Sequence, residues 1–140
     1  MHAASTAVFR IMVRSVLAVL LGWAAVGVLV VATDGVLNRM YPDQYVHGRM
    51  PPDHLVAISL ATSTVWSVLG GYITAWVASR KRWRHIVGLV IWGELMGVVS
   101  AFATWGQIQS WYQIGLILLW VPAVVLGGWL RAGKPDFKSA

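Results

Sequence analysis

Cysteine and charged residues are what this sequence most lacks. It has no cysteine, which excludes disulfide bonds, thiolate nucleophiles and cysteine-ligated metal or iron–sulfur sites. Only 11% of its 140 residues are charged, whereas soluble domains usually carry about 25%. Hydrophobic residues make up 58% of the chain, which is more than the core of so small a globular domain can bury. These shortages exclude a soluble protein and a disordered chain, and they indicate an integral membrane protein.

The sequence also lacks the short motifs of common catalytic sites. It contains no G-x-S-x-G, no Walker phosphate loop and no H-E-x-x-H. His54 and His85 are expected at opposite membrane faces, so they cannot form a bis-histidine haem site. Asp43, His47, Asp53 and His54 have metal-ligating side chains, but their spacing matches no known ligand pattern. We therefore predict no catalytic residue and no metal site, and the sequence identifies no cofactor.

Four long apolar stretches predict the fold. They cover residues 11–33, 55–78, 86–104 and 112–130. At 1.5 Å per residue, each is long enough to cross a hydrocarbon core of about 30 Å. Because lipid offers no water to unpaired backbone groups, helices are the only open-chain structure that can span it. We predict an all-α, four-helix transmembrane bundle in a single domain, with an outer loop at 34–54 and an inner basic turn at 79–85.

The basic residues predict the orientation of this bundle. Nine of the eleven flank the stretches on one side: Arg10, Arg14, Arg80, Lys81, Arg82, Arg84, Arg131, Lys134 and Lys138. Only Arg39 and Arg49 fall on the other side. Cytoplasmic flanks carry an excess of Lys and Arg, so both chain termini are expected in the cytoplasm. The first stretch is expected to stay in the membrane as a signal anchor, because its uncharged run exceeds the usual length of about 7–15 residues in a cleaved signal.

The net charge of +6 does not require a nucleic acid as partner. Basic residues near helix ends attract anionic lipid headgroups, each contributing about 1 kcal/mol. We predict headgroup contacts from the residues of the inner turn, Arg80, Lys81, Arg82 and Arg84. Membrane lipids are therefore the partners that this charge pattern favours, and nucleic acid is excluded.

Small and polar residues at helical spacing predict how the helices pack. The second stretch carries such a stripe, Ser59, Ser63, Ser67, Gly70, Thr74 and Ala78, and the third carries Gly93, Gly97, Ser100 and Thr104. Small residues let helix backbones approach closely in lipid, and hydroxyls add hydrogen bonds. We predict that these two stripes face each other, in preference to lining a substrate path. A weak echo, VLGGY at 68–72 and VLGGW at 125–129, fits either a parallel repeat or chance similarity.

Four tryptophans lie well inside the stretches, one in each: Trp23, Trp66, Trp92 and Trp120. An indole N–H group at that depth needs an acceptor. The set could form an aromatic site for a pigment, quinone or lipid, or it could fill the core. We favour core filling, since the four lie at different depths and no ligand motif accompanies them.

Glu94 is the one acidic residue inside a predicted span. An ionised carboxylate at that depth costs a few kcal/mol or more. Arg14 is one possible partner; a second possibility is a protonated Glu94 that donates to the Leu118 carbonyl, which Pro122 leaves without an intrahelical partner. Ser67, Thr74 and Trp120 complete the candidate intramembrane polar site, which is at once a functional hypothesis and a structural one.

Three segments carry a family resemblance: Gly70 to Ala75 (GGYITA), Trp111-Tyr112, and Pro122 with Leu126-Gly127-Gly128. In their order and positions the chain resembles a loose group of small four-span bacterial integral membrane proteins of unassigned function. The resemblance implies four spans and a bacterial plasma membrane, and it supplies no functional residue.

These observations lead to two hypotheses about function. The first is a non-enzymatic multi-pass membrane protein that serves as an accessory subunit of a membrane complex. The alternative is a homo-oligomeric small transporter or channel that uses Glu94 as its coupling site. A third and weaker hypothesis is a membrane enzyme in which the basic turn holds an anionic headgroup.

Overall fold

The computed structural model describes residues 2–46, 50–78 and 81–134, with side chains in the first helix described from residue 13 onward. The described residues form four long α-helices and one short 3-10 helix. The α-helices are α1 (His2–Met40), α2 (Asp53–Val77), α3 (Arg82–Ala103) and α4 (Ser110–Ala132), and the 3-10 helix is Pro42–Gln44. The fold is all-α, and each of the four long helices is long and apolar enough to cross a membrane.

The first helix is longer than the apolar stretch that predicts it. The sequence predicts an end at Asp34, but α1 continues without a break to Met40. The carboxylate of Asp34 accepts a hydrogen bond from Ser59 Oγ at 2.8 Å. The Ser59 hydroxyl therefore takes the place of the water that would solvate this carboxylate if α1 ended there. The loop before α2 is correspondingly shorter, and at the other end Arg82 and Arg84 lie in the first turn of α3.

The two central helices are α2 and α3, each of which packs against all the others. Within the described residues, α1 and α4 do not touch, so they flank the central pair on opposite sides. We call the end where α2 stops and α3 starts the basic end, and the opposite end the loop end. Because successive helices run antiparallel, α2 and α4 are parallel to each other.

The closest crossing joins α2 to α4 through two glycines. A methyl group on Gly71 would overlap the carbonyl oxygen of Val124, and one on Gly127 would overlap the carbonyl oxygen of Val68. The contact is reciprocal, since each glycine meets the residue three positions before the other glycine. The VLGG echo in the sequence therefore marks the helix crossing, although the structural pairing is offset by one residue from the sequence match.

The predicted pairing of the two small-residue stripes is wrong. The α2 stripe is buried, but two of its central residues pack against α1: Gly70 leaves room for Val26, and Thr74 Oγ1 donates to the Ala18 carbonyl at 3.2 Å. The stripe glycines of α3, Gly93 and Gly97, face α4 instead, with the indole of Trp120 directly over Gly93. A stripe of small residues predicts that a helix face is buried, but it does not say which of three neighbouring helices covers it.

The four interior tryptophans differ in their contacts. Two of them have the predicted hydrogen-bond acceptors for their indole N–H groups, and the other two pack against each other. Trp66 Nε1 donates to Thr33 Oγ1 at 3.0 Å, and Trp120 Nε1 donates to the Val90 carbonyl at 3.2 Å. Trp23 and Trp92 meet edge to face, with ring centroids 6.1 Å apart. The expectation that indole N–H groups at this depth have acceptors is confirmed for Trp66 and Trp120.

Candidate functional site

Glu94 lies on the outer margin of α3 and not between the helices. Gly88 and Trp92 face α1, where they approach Val19 and Trp23. At 100° per residue, Glu94 lies about 200° around the helix from Trp92 and therefore points away from α1. Its side chain is half-buried, and it has neither a hydrogen bond nor an ion pair among the described residues.

Three exposed apolar side chains lie beside Glu94, on the side of it that faces away from α4. Val87, Ile91 and Val98 lie within about 60° of it around the helix, and their exposed fractions are 46%, 63% and 38%. We call these four residues the Glu94 face. It is an apolar surface with a single carboxyl group at the edge that borders α4.

Among the described residues, none of the other candidate polar side chains forms a hydrogen bond or an ion pair with Glu94. Arg14 Nε donates to the Val77 carbonyl at 3.1 Å, at the end of α2. Ser67 Oγ donates to the Ser63 carbonyl at 2.7 Å, within its own helix. Each of these side chains, like Thr74 and Trp120, has a backbone carbonyl as its acceptor. The five residues therefore form no common site, and the Arg14–Glu94 ion pair is absent from the described part of the chain.

An open groove of about 1210 Å³ lies between α1 and α3 at the basic end. Its mouth is lined by Arg14 from α1 and by Lys81, Arg84 and His85 from the start of α3. Its deeper walls are apolar, formed by side chains such as Val16, Val19, Leu20 and Trp92. The groove is thus amphipathic along its length, with its cations at the end of the bundle and its apolar walls toward the centre.

Local backbone geometry holds the basic residues at the mouth of the groove. Lys81 precedes α3 in a left-handed conformation, with φ 50°. Its carbonyl contacts His85 Nδ1 at 3.1 Å across the first turn of α3. Arg82, by contrast, donates from Nε to the Ala78 carbonyl at 3.3 Å and does not line the groove. Of the predicted headgroup contacts, Lys81 and Arg84 thus share one groove with Arg14, whereas Arg80 lies outside the described residues.

A polar cluster joins three elements at the loop end. Ser59 of α2 donates to Asp34 of α1, and Tyr45 lies within hydrogen-bonding reach of Ser59. Burial, followed by the nearby Asp34 carboxylate, raises the pKa of the Tyr45 hydroxyl above its ordinary value, although the contact with Ser59 partly offsets this. Tyr45 is therefore neutral at physiological pH and can donate a hydrogen bond.

Further hydrogen bonds close the loop end. Gln109 Nε2 donates to the Pro51 carbonyl, and Trp111 Nε1 donates to Asp53 Oδ1 at 3.3 Å. The first ties the α3–α4 turn to the segment that leads into α2, and the second joins the first turn of α4 to the start of α2. Among the residues that the structure describes, no three His, Asp or Glu side chains gather closely enough to hold a metal ion. The contacts at this end thus serve to hold the helices together.

Neither the groove nor the loop-end cluster could be predicted from the sequence. Arg14 and Arg84 are 70 positions apart, and nothing in their local sequence pairs them. The one available signal is depth in the membrane, since Asp34 near the end of α1 and Ser59 near the start of α2 both fall at the loop end.

No family model, no curated protein and no solved structure matches this chain.

Proposed function

We propose that the chain is a four-span integral membrane protein of a bacterial plasma membrane, with both termini in the cytoplasm. Four helices of spanning length support this placement. The concentration of Lys and Arg at the basic end supports the orientation, because positive charge is retained on the cytoplasmic side. The loop end, with Asp34, Asp43 and Asp53, then faces away from the cytoplasm.

Within that membrane, the proposed role is that of a non-enzymatic accessory subunit that binds a second membrane protein through the Glu94 face. The observation that carries the proposal is the position of Glu94, which is half-buried on the outside of α3 and unpartnered within the described residues. Acidic groups in spans almost always face other protein groups or water, since lipid cannot solvate them. A neighbouring subunit would supply the hydrogen-bonding or charged partner for Glu94 that the described residues of this chain do not.

The chemistry of the Glu94 face defines the partner. The partner helix would place a hydrogen-bond donor, either a hydroxyl, an amide or a basic side chain, opposite the carboxyl group. Around that donor it would present small or apolar residues to Val87, Ile91 and Val98. Interhelical hydrogen bonds in membranes contribute about 0.6–2 kcal/mol, which corresponds to roughly 3- to 30-fold in affinity.

Co-purification in mild detergent tests this role. Replacing Glu94 with Leu removes the carboxyl group and keeps the face apolar, so recovery of the partner subunit should fall by about 3- to 30-fold. Glu94→Gln distinguishes a neutral hydrogen bond, which the amide retains, from an ion pair, which it loses. Ser100→Ala, an exposed polar position on the same helix, serves as the matched control. Undiminished recovery of the partner with Glu94→Leu would refute the proposal.

The alternative role, a homo-oligomeric transporter or channel, is favoured by the same position of Glu94. A residue on the outside of one copy would lie at the interface between copies and line a path there. In that case the purified chain would form a defined oligomer without any other subunit. In proteoliposomes it would give a cation or proton flux that Glu94→Gln abolishes and Ser100→Ala leaves unchanged.

A further inference from the structure

We propose that the groove between α1 and α3 binds one anionic phospholipid. The headgroup phosphate lies at the basic mouth, and one acyl chain runs along the apolar walls toward Trp92. The proposal rests on the proposed membrane placement of the chain, but it does not depend on the accessory-subunit role.

Charge complementarity identifies the headgroup. Arg14, Lys81 and Arg84 bring three cationic side chains from two helices to one opening, and no acidic side chain lines it among the described residues. The Arg14 guanidinium is positioned by its bond from Nε to the Val77 carbonyl, and its terminal nitrogens have no acceptor among the residues that the structure describes. Guanidinium groups bind phosphate oxygens in pairs, and a lysine adds a point charge. An anionic headgroup therefore matches this mouth better than a zwitterionic one.

The apolar half of the groove identifies a lipid as the source of that phosphate. From Arg84 to Trp92 the groove follows α3 for about 12 Å, with Val19 and Leu20 on the facing helix. The Trp23–Trp92 pair bridges α1 and α3 at its deep end. A soluble anion would gain nothing from these walls, whereas an acyl chain would bury against them while its headgroup stays at the mouth.

Native mass spectrometry of the full chain in detergent tests the proposal, with dioleoylphosphatidylglycerol and dioleoylphosphatidylcholine as probes of equal chain length. We expect one phosphatidylglycerol to be retained per chain, with an affinity at least about tenfold above that of phosphatidylcholine. Inorganic phosphate in excess should not displace it. Equal binding of the two lipids, or displacement by phosphate, would overturn the proposal.

Variants at the mouth separate binding from folding. Lys81 has a left-handed backbone, which glycine adopts more readily than lysine, so Lys81→Gly removes the charge without straining the turn. Lys81→Gly and Arg84→Gln should each weaken phosphatidylglycerol binding about fivefold. Arg131→Gln removes a cation in the last turn of α4, also at the basic end but outside the groove, and should change the affinity by less than about twofold.

A fourth variant tests the path of the acyl chain. Val16 is more than half exposed and lines the groove, so Val16→Trp should fill the groove and reduce lipid retention without disturbing the core.

Glu94→Leu should bind phosphatidylglycerol like the wild type. This result would keep a failure of the accessory-subunit role distinct from a failure of the lipid site. Wild-type lipid affinity in both Lys81→Gly and Arg84→Gln would overturn the assignment of the headgroup.

Discussion

Replacing Gly71 or Gly127 with valine should strongly destabilise the bundle. Each glycine lies against a carbonyl group of the opposite helix, Val124 for Gly71 and Val68 for Gly127. Any β-carbon there meets backbone, which cannot rotate aside as a side chain can. The two parallel helices would have to separate, and overpacking of this kind costs about 1–3 kcal/mol and occasionally more. Unfolding in mixed micelles by titration with a denaturing detergent measures the loss.

The control for this prediction is Gly27, whose β-carbon would have no atom within 4 Å apart from the neighbouring backbone of its own helix, as far as the structure describes the chain. Gly27→Ala should leave stability unchanged or raise it by about 0.5–1 kcal/mol, because alanine is the better helix former. Since Gly71 and Gly127 belong to one crossing, the double valine variant should lose less than the two single losses added together. Equal stability of Gly71→Val and Gly27→Ala would contradict the close α2–α4 crossing.

Replacing Asp34 with leucine should cause the second large loss of stability. Ser59 is only 7% exposed, and its hydroxyl donates to the Asp34 carboxylate. Without that acceptor the buried hydroxyl of Ser59 keeps only its contact with Tyr45 among the described residues, and the loss of the hydrogen bond to the carboxylate costs about 1–3 kcal/mol. Asp34→Asn keeps an acceptor oxygen and should lose less. The same detergent titration measures the change.

Two further variants isolate the contact between Asp34 and Ser59. Asp43→Asn alters an exposed acid in the neighbouring 3-10 helix and should have little effect. Adding Ser59→Ala to Asp34→Leu removes the hydroxyl that has lost this acceptor, so the double variant should be no less stable than Asp34→Leu alone. If Asp34→Leu proved as stable as Asp43→Asn, the loop-end cluster would have no structural role.

The helices themselves could be predicted from the sequence, because the length of an apolar run and its lack of charge are local properties. It could also be predicted that the indole N–H groups of Trp66 and Trp120 have hydrogen-bond acceptors, because this need follows from the indole group alone. The ends of the helices are harder to place. The α1 helix passes Asp34 because Ser59, which lies 25 positions away, supplies the hydrogen bond.

The pairing of helices could not be predicted, since it depends on three-dimensional arrangement. Gly70 and Thr74 show that one face of α2 is buried, yet only the fold shows that α1 covers it. The same limit applies to the candidate sites. Depth alone places Arg14 within reach of Glu94, but the two side chains lie on different sides of α3. The groove formed by Arg14 and Arg84 needs the packing of α1 on α3 before it exists.

Labelling of single cysteines in intact spheroplasts shows whether the chain crosses the membrane four times with both ends in the cytoplasm. The sequence has no cysteine of its own, so each introduced thiol reports one position. With a membrane-impermeant maleimide, Asp43→Cys should be labelled at once, whereas His2→Cys and Lys138→Cys should react only after permeabilisation. Labelling of either terminal position in intact spheroplasts, or protection of Asp43→Cys, would contradict the account.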